Sequence, residues 1–196
     1  MAIGDRRDRE RAARRRLIVT TARKVAEADG WDAVTTRRLS TEIEYSQPVL
    51  YKHFAGMEQI AEAVALDGFG ELADVIRAAR SDAGSNSEAL RRIAHAYFDF
   101  ARDNPAVYDA MFSRATTLRF AADDTPAELT TAFAELREAV GLVVNEHDVD
   151  ALTEVFWAAL HGLVTLGRTG RLRPGHDSER LRLLVDEFTC KRKTVR

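Results

Sequence analysis

Apolar residues recur along this chain at steps of three and four, the period of helices rather than strands. Leu17, Ala22, Val25 and Ala26 form the inner stripe of a first helix, which Gly30 can close by taking the left-handed conformation. Leu39 and Ile43 stand four apart on a second, shorter segment that Thr35 or Thr36 can cap. Glu44-Tyr45-Ser46 then makes a turn. Ser46 is a suitable cap for a third helix from Gln47 to about His53, with Pro48 in the first turn, where its missing N–H costs little, and Leu50 and Phe54 facing inward. From Gly56 to about Arg80, Ile60, Val64, Leu72, Val75 and Ile76 keep helical spacing, and the polar run 81–86 is a loop by composition. Leu90, Ile93, Ala94, Tyr97 and Phe98 resume the stripe, and Asn104-Pro105 and Thr125-Pro126 each read as a cap followed by a first-turn proline. Asp148 caps a helix carrying Leu152, Phe156, Leu160 and Leu163; Arg173-Pro174-Gly175 separates it from a last helix with Leu181, Leu184, Val185 and Phe188. No βαβ alternation and no repeat interrupts this pattern. The expected fold is all-α: an arm over 1–12, a three-helix unit over 13–55, and a helical bundle over 56–196.

The two short helices meeting at Ser46 have the build of a helix-turn-helix. Opposite the inward Leu50 and Phe54, the third helix carries Gln47, Tyr51 and Lys52, amide, phenol and ammonium groups suited to base edges and phosphates in a major groove. Charge agrees. The net charge is −2, but residues 1–55 hold 12 Lys+Arg against 8 Asp+Glu, so the remainder carries 17 against 23. The basic end is the end with the motif. Arg6, Arg7, Arg9, Arg11, Arg14, Arg15 and Arg16 suit an arm that meets phosphates or reaches a minor groove; the interspersed Asp5, Asp8 and Glu10 equally suit a solvated helix start.

These residues resemble the DNA-binding heads of TetR-family bacterial transcriptional repressors. Thr35, Leu39-Ser40, Glu44-Tyr45-Ser46 and Leu50-Tyr51-Lys52-His53-Phe54 follow the family's Thr, Leu-Ala, Gly-Val-Ser and Leu-Tyr-x-His-Phe elements, preceded by Ala28-Asp29-Gly30-Trp31. Glu44 replaces the turn glycine, Ser40 an alanine, and Met57 a common lysine. A carboxylate at 44 weakens binding unless it points away or pairs with Arg37 or Arg38. Downstream, Trp157, His161 and Gly162, together with 96–101, 104–108 and Met111-Phe112, resemble the C-terminal ligand and dimer domain of TetR regulators named for its Trp, His and Gly.

The resemblance implies a homodimeric repressor, released from a palindromic double-stranded DNA operator by a small apolar effector. Gln47 is expected at base edges; Thr36, Arg37, Tyr51, Lys52 and His53 at phosphates or positioning the helix; Tyr45 and Pro48 at a thymine methyl or sugar; and Ser46 at the helix start. His95, Phe98, Tyr108, Phe112, Phe133, Trp157 and His161 are candidates for the effector site, although most such residues serve an ordinary core. Leu152, Phe156, Leu160, Leu163, Leu181, Leu184, Val185 and Phe188 are candidates for a dimer interface, or for a monomer's core.

Composition narrows the alternatives. The chain of 196 residues is 45% hydrophobic, which excludes a disordered tail protein. No apolar run approaches the ~18–20 residues that span a bilayer, and no secretory signal follows the Arg-rich start, so a cytoplasmic protein without membrane partners is expected. One Cys and five dispersed His offer no metal site, and no cofactor is expected. The chain lacks a Gly-rich phosphate loop, G-x-S-x-G and H-E-x-x-H, which disfavours an enzyme. Glu44 and the modest net charge leave a second alternative, a helical protein-interaction module whose head no longer binds DNA.

Overall fold

The computed structural model describes residues 2–114, 118–120, 122, 124–144 and 148–190, and among these every regular element is a helix. The long helix α1, Ala2–Asp29, is stopped by Gly30 at φ 81° and followed by a single 3-10 turn, Trp31–Ala33. Next come α2, Thr36–Glu42, and α3, Gln47–Tyr51, then α4, Met57–Ser81, and α5, Asn86–Asp103. The short α6, Pro105–Asp109, runs into a π turn, Ala110–Arg114. The last three helices are α7, Ala127–Gly141, α8, Val149–Arg168, and α9, Asp177–Thr189.

Several local expectations hold at the level of individual atoms. Thr35 caps α2, its hydroxyl accepting from the Arg38 N–H at 3.1 Å, and Asp148 caps α8 by accepting from the N–H groups of Asp150 and Ala151. Others are corrected. Ser46 precedes α3 in extended conformation without a side-chain cap. Asn104 does not cap α6 either: its Oδ1 accepts from Arg23, and the carboxylate of Glu27 accepts from the Ala106 and Val107 N–H groups, each at 3.0 Å. In the inner stripe of α1, Ala22, Val25 and Ala26 are buried as expected and Leu17 gives way to Ile18. Ile18 is fully buried and Leu17 is 43% exposed, because a step of about 100° per residue places Ile18, not Leu17, in line with Ala22 and Val25. The segment expected as an arm is the helical beginning of α1, and its residues 6–17 are all exposed.

The chain forms two compact units. The first combines Met1–Phe69 with Asn104–Pro126. Its core includes Ile18, Ala22, Val25, Val34, Leu39, Ile43, Leu50, Phe54 and Ile60. The 104–114 stretch is bound into the same unit, since Glu27 caps α6 and the Trp31 indole donates to the Ala106 carbonyl at 2.8 Å. Packing is tight enough there that a Cβ on Gly68 would stand 2.5 Å from Val107 Cγ1 and 2.9 Å from Met111 Sδ. The second unit combines Gly70–Asp103 with Ala127–Arg196, and α5, α7, α8 and α9 bury Leu90, Ile93, Tyr97, Leu136, Phe156, Leu160, Leu181 and Val185 among them. Glu135 of α7 accepts from both Arg77 and Arg80 at 2.7 and 2.8 Å.

Among the described residues α8 is the one helix long and apolar enough to cross a membrane by length and composition, a test that core helices also pass, and 22% of its most apolar stretch is buried.

Candidate nucleic-acid interface

Burial of Leu39, Ile43, Leu50 and Phe54 turns the opposite face of α3 to solvent. Gln47, Pro48 and Tyr51 share that face at spacings of three and four; all are exposed, Tyr51 at 55%. Arg37, Ser46 and Lys52 are exposed beside them, and Thr36, Tyr45 and His53 are half-buried. The head therefore presents a donor- and acceptor-bearing helix without its own charge of either sign until Lys52.

The turn before α3 carries the least expected geometry. Glu44 has φ 55°, the only positive φ among the described residues other than glycine. An L-residue there costs roughly 1–2 kcal/mol, because Cβ crowds the carbonyl oxygen. Its carboxylate is exposed. Arg38, one of the two cations that could have paired with it, instead donates to Glu42 at 2.9 Å and lies 3.4 Å from Asp29.

The far end of α3 is held by α1. Arg15 Nη1 donates to the His53 carbonyl at 3.0 Å, and its guanidinium lies 4.0 Å from the centre of the Phe54 ring. Such a stacked cation contributes about 0.5–1 kcal/mol at an exposed site. His53 is held below its ordinary pKa by burial, then by the positive charges of Arg11, Arg14, Arg15 and Lys52. Its Nδ1 is buried without a hydrogen-bond partner. The sequence marked these arginines as an arm suited to phosphates but did not show Arg15 reaching the His53 carbonyl and the Phe54 ring.

The candidate effector residues divide between the units. In the first, Tyr108 is buried and Phe112 half-buried, their rings 4.6 Å apart, and Phe69 meets Phe112 edge-on at 5.5 Å. In the second, His95, Phe98, Phe133, Trp157 and His161 are all half-buried. The Trp157 indole donates to the Tyr97 hydroxyl at 3.2 Å across α5 and α8, and burial lowers the pKa of His161 one turn further along. Tyr97 lies on the expected inner stripe and is fully buried; its hydroxyl as the partner of the Trp157 indole is what the stripe did not show.

The expected dimer stripe is corrected in part. Phe156, Leu160, Leu181 and Val185 are no more than 1% exposed and are covered by their own chain, because they face α5 and each other across the bundle. Leu152, Leu163, Leu184 and Phe188 are half-buried. The large apolar side chains left open on α8 and α9 are Val155 (58%), Leu166 (39%) and Leu183 (51%). Gly162 and Gly167 have no atom within 4 Å of where a Cβ would stand, so neither serves close packing inside one chain.

A three-helix head with an uncovered α3, set at the basic end of an all-helical chain, defines a helix-turn-helix DNA-binding protein. Comparison with known proteins makes the class specific. Residues 18–64 match the model described as bacterial regulatory proteins of the tetR family, and residues 90–188 match the tetracyclin repressor-like C-terminal domain. An uncharacterised helix-turn-helix transcriptional regulator of Mycobacterium tuberculosis is 30% identical over 163 residues, covering 80% of this chain and 71% of that protein. A structure from Rhodococcus sp. RHA1 described as of unknown function superposes with a TM-score of 0.71 at 23% identity, over 89% of this chain and 93% of that one. RolR in complex with resorcinol shares the fold at a TM-score of 0.65 and 15% identity, over 92% and 89%. The chain belongs to the TetR family and is a DNA-binding transcriptional regulator.

Proposed function

We propose that this regulator is a homodimeric repressor that binds a palindromic operator and is released by a small, largely apolar ligand. The observation that carries the reading is the exposed face of α3. In the proposed complex Gln47 reads a base edge, while Thr36, Arg37, Tyr51 and Lys52 contact phosphates. Tyr45 and Pro48 lie against sugar or thymine methyl, Ser46 starts the helix, and His53 positions its end. Two copies read a near-palindrome when their α3 helices match major grooves about 34–36 Å apart or a larger whole-turn spacing.

The apolar side of α8, with Leu183 of α9, supplies the interface between copies. Support comes from the low burial of an apolar helix and from Val155 and Leu166, which the described residues leave exposed. Leu152, Leu163, Leu184 and Phe188 flank it.

We assign the second half to the Trp-His-Gly type on the placement of Trp157, His161 and Gly162 along α8. His95, Phe98, Phe133, Trp157 and His161 are the proposed effector contacts, and Tyr108 and Phe112 belong to the aromatic packing of the first unit. The fold accommodates resorcinol in RolR. A ligand releases DNA only by its preference for a dimer geometry that misses the groove spacing, so a few kcal/mol of differential affinity is sufficient. A repressor of this kind acts in the cytoplasm, with DNA and a second copy of itself as partners.

The test is selection of a random duplex library on the purified chain at ~150 mM salt against non-specific competitor, repeated with Gln47→Ala. Wild type should enrich a palindrome, and the variant should lose preference at one base pair per half-site. Enrichment of nothing removes the operator reading; an unchanged preference in the variant removes the role given to Gln47.

A further inference from the structure

Arg15 fastens the first half of α1 to α3, yet the helix around it stands open to solvent. Sixteen residues precede Ile18, about 24 Å of helix, and residues 6–17 are all exposed. Residues 6–16 hold seven arginines against Asp8 and Glu10. The charges are sorted by face. Glu10 is taken by Arg6 at 2.9 Å, and Arg9 and Arg16 lie on the side away from the core stripe. Arg7, Arg11 and Arg14 continue the row of Ile18, Ala22 and Val25 at steps of four and three, so they stand on the side of α1 that faces the head. Asp8 lies on the neighbouring row, and among the described residues it forms no ion pair with them.

This row runs directly beside the recognition helix. Arg15 is fastened to the last turn of α3 through the His53 carbonyl and the Phe54 ring. Arg11 and Arg14 are close enough, with Lys52, for their charges to act on the His53 imidazole. A positive strip thus extends from Lys52 past Arg14 and Arg11 to Arg7. From Arg14 to Arg7 it rises about 10 Å, three phosphate steps of one DNA strand at about 3.4 Å of axis each.

We propose that Arg7, Arg11 and Arg14 form a second DNA contact, a sequence-independent site for the phosphodiester backbone flanking the base pairs that α3 reads. The helix, rather than a disordered arm, fixes these cations in advance, so little side-chain and no backbone ordering is needed when DNA arrives. The site rests on the reading of the head as an operator-binding unit and extends its footprint outward from each half-site.

The experiment compares wild type with Arg7→Gln/Arg11→Gln on the selected operator in a duplex with long flanks and in one trimmed to the palindrome. Gln keeps the helix propensity, and neither arginine buries apolar surface. An Arg16→Gln/Lys24→Gln control removes the same charge from exposed positions outside the strip. On the long duplex, the slope of log affinity against log salt should fall by about 1.8 per head in the test variant, from about 0.9 per phosphate. Hydroxyl-radical protection outside the palindrome should disappear, while base preference stays as in wild type. On the trimmed duplex, test variant and wild type should converge. An unchanged slope and footprint in the test variant, or an equal loss in the control, overturns the second contact and leaves operator binding standing. A wild type that selects no sequence overturns both.

Discussion

Glu44 offers the sharpest test of how the head is built, because one side chain combines a backbone cost with an electrostatic one. Its φ of 55° costs an L-residue roughly 1–2 kcal/mol, and Glu44→Gly removes that cost. The gain is reduced by the greater freedom of glycine in the unfolded chain, about 0.5–1 kcal/mol, which leaves a net stabilisation of about 0.5–1 kcal/mol. In a chain of this size that corresponds to about 1–4 °C in Tm. Trp31 reports on the first unit through its bond to the Ala106 carbonyl, so denaturation followed by its fluorescence in a Trp157→Phe background reads the relevant transition. Glu44→Gln separates the two effects: it keeps the strained backbone and removes the charge. A carboxylate about 10 Å from several phosphates opposes binding by a few tenths of a kcal/mol at 0.1 M salt, so Gln should raise operator affinity about twofold without a change in stability, and the gain should shrink as salt rises. Gly should give the affinity gain and the stability gain together. If Glu44→Ala stabilised as much as Glu44→Gly, the argument from left-handed strain would be refuted.

Gly162→Ala tests the proposed dimer face: with open space around it in one chain, the methyl should stabilise dilute protein by up to about 1 kcal/mol, yet weaken dimerisation in sedimentation, and an unchanged dimer affinity would take Gly162 out of the interface. Glu27→Ala leaves the Ala106 and Val107 N–H groups without their acceptor and should cost about 1–3 kcal/mol by urea denaturation read at Trp31, whereas Glu27→Gln should recover part of it. His53 binds its proton less readily when folded, first because it is buried and then because Arg11, Arg14, Arg15 and Lys52 surround it. Its contribution to stability is therefore complete above the ordinary histidine value of 6.5 and is lost as pH falls through the lowered folded value. Operator phosphates favour the charged ring, so DNA affinity should rise as pH drops from 7.5 to 6, and His53→Gln should flatten that dependence.

Helix type and order were legible because the buried residues repeat at three and four over long stretches, and capping at Thr35 and Asp148 follows from side chains that can reach only the next few N–H groups. Leu17 was misread because Leu17 and Ile18 are adjacent apolar residues about 100° apart, and only packing decides which faces in. Which face of α3 stays exposed could be read from the alternation of Leu50 and Phe54 with Gln47 and Tyr51. What the sequence withheld was contact between distant segments: nothing in Glu27 announces a cap for a helix that begins at Pro105, and nothing in Arg15 announces His53. The dimer stripe failed in part for a related reason. In α8 both sides are apolar, so Phe156 and Leu160 look like Val155 and Leu166 until one side is seen to be covered.

The first unit is assembled from two separated pieces of chain, Met1–Phe69 and Asn104–Pro126, so the DNA-reading half is not a cassette that can be cut out at one point. A recombination event that exchanged only the first 55 residues would bring in a foreign Glu27, Trp31 and Arg23 to meet the resident Asn104, Ala106 and Val107. Grafting a new DNA preference onto this regulator therefore requires either exchanging only the exposed side chains of α3 or carrying both pieces, with joins at 69/70, 103/104 and 126/127. Change by surface substitution on five residues of helix is the shorter route, and it leaves every anchoring contact of α6 intact.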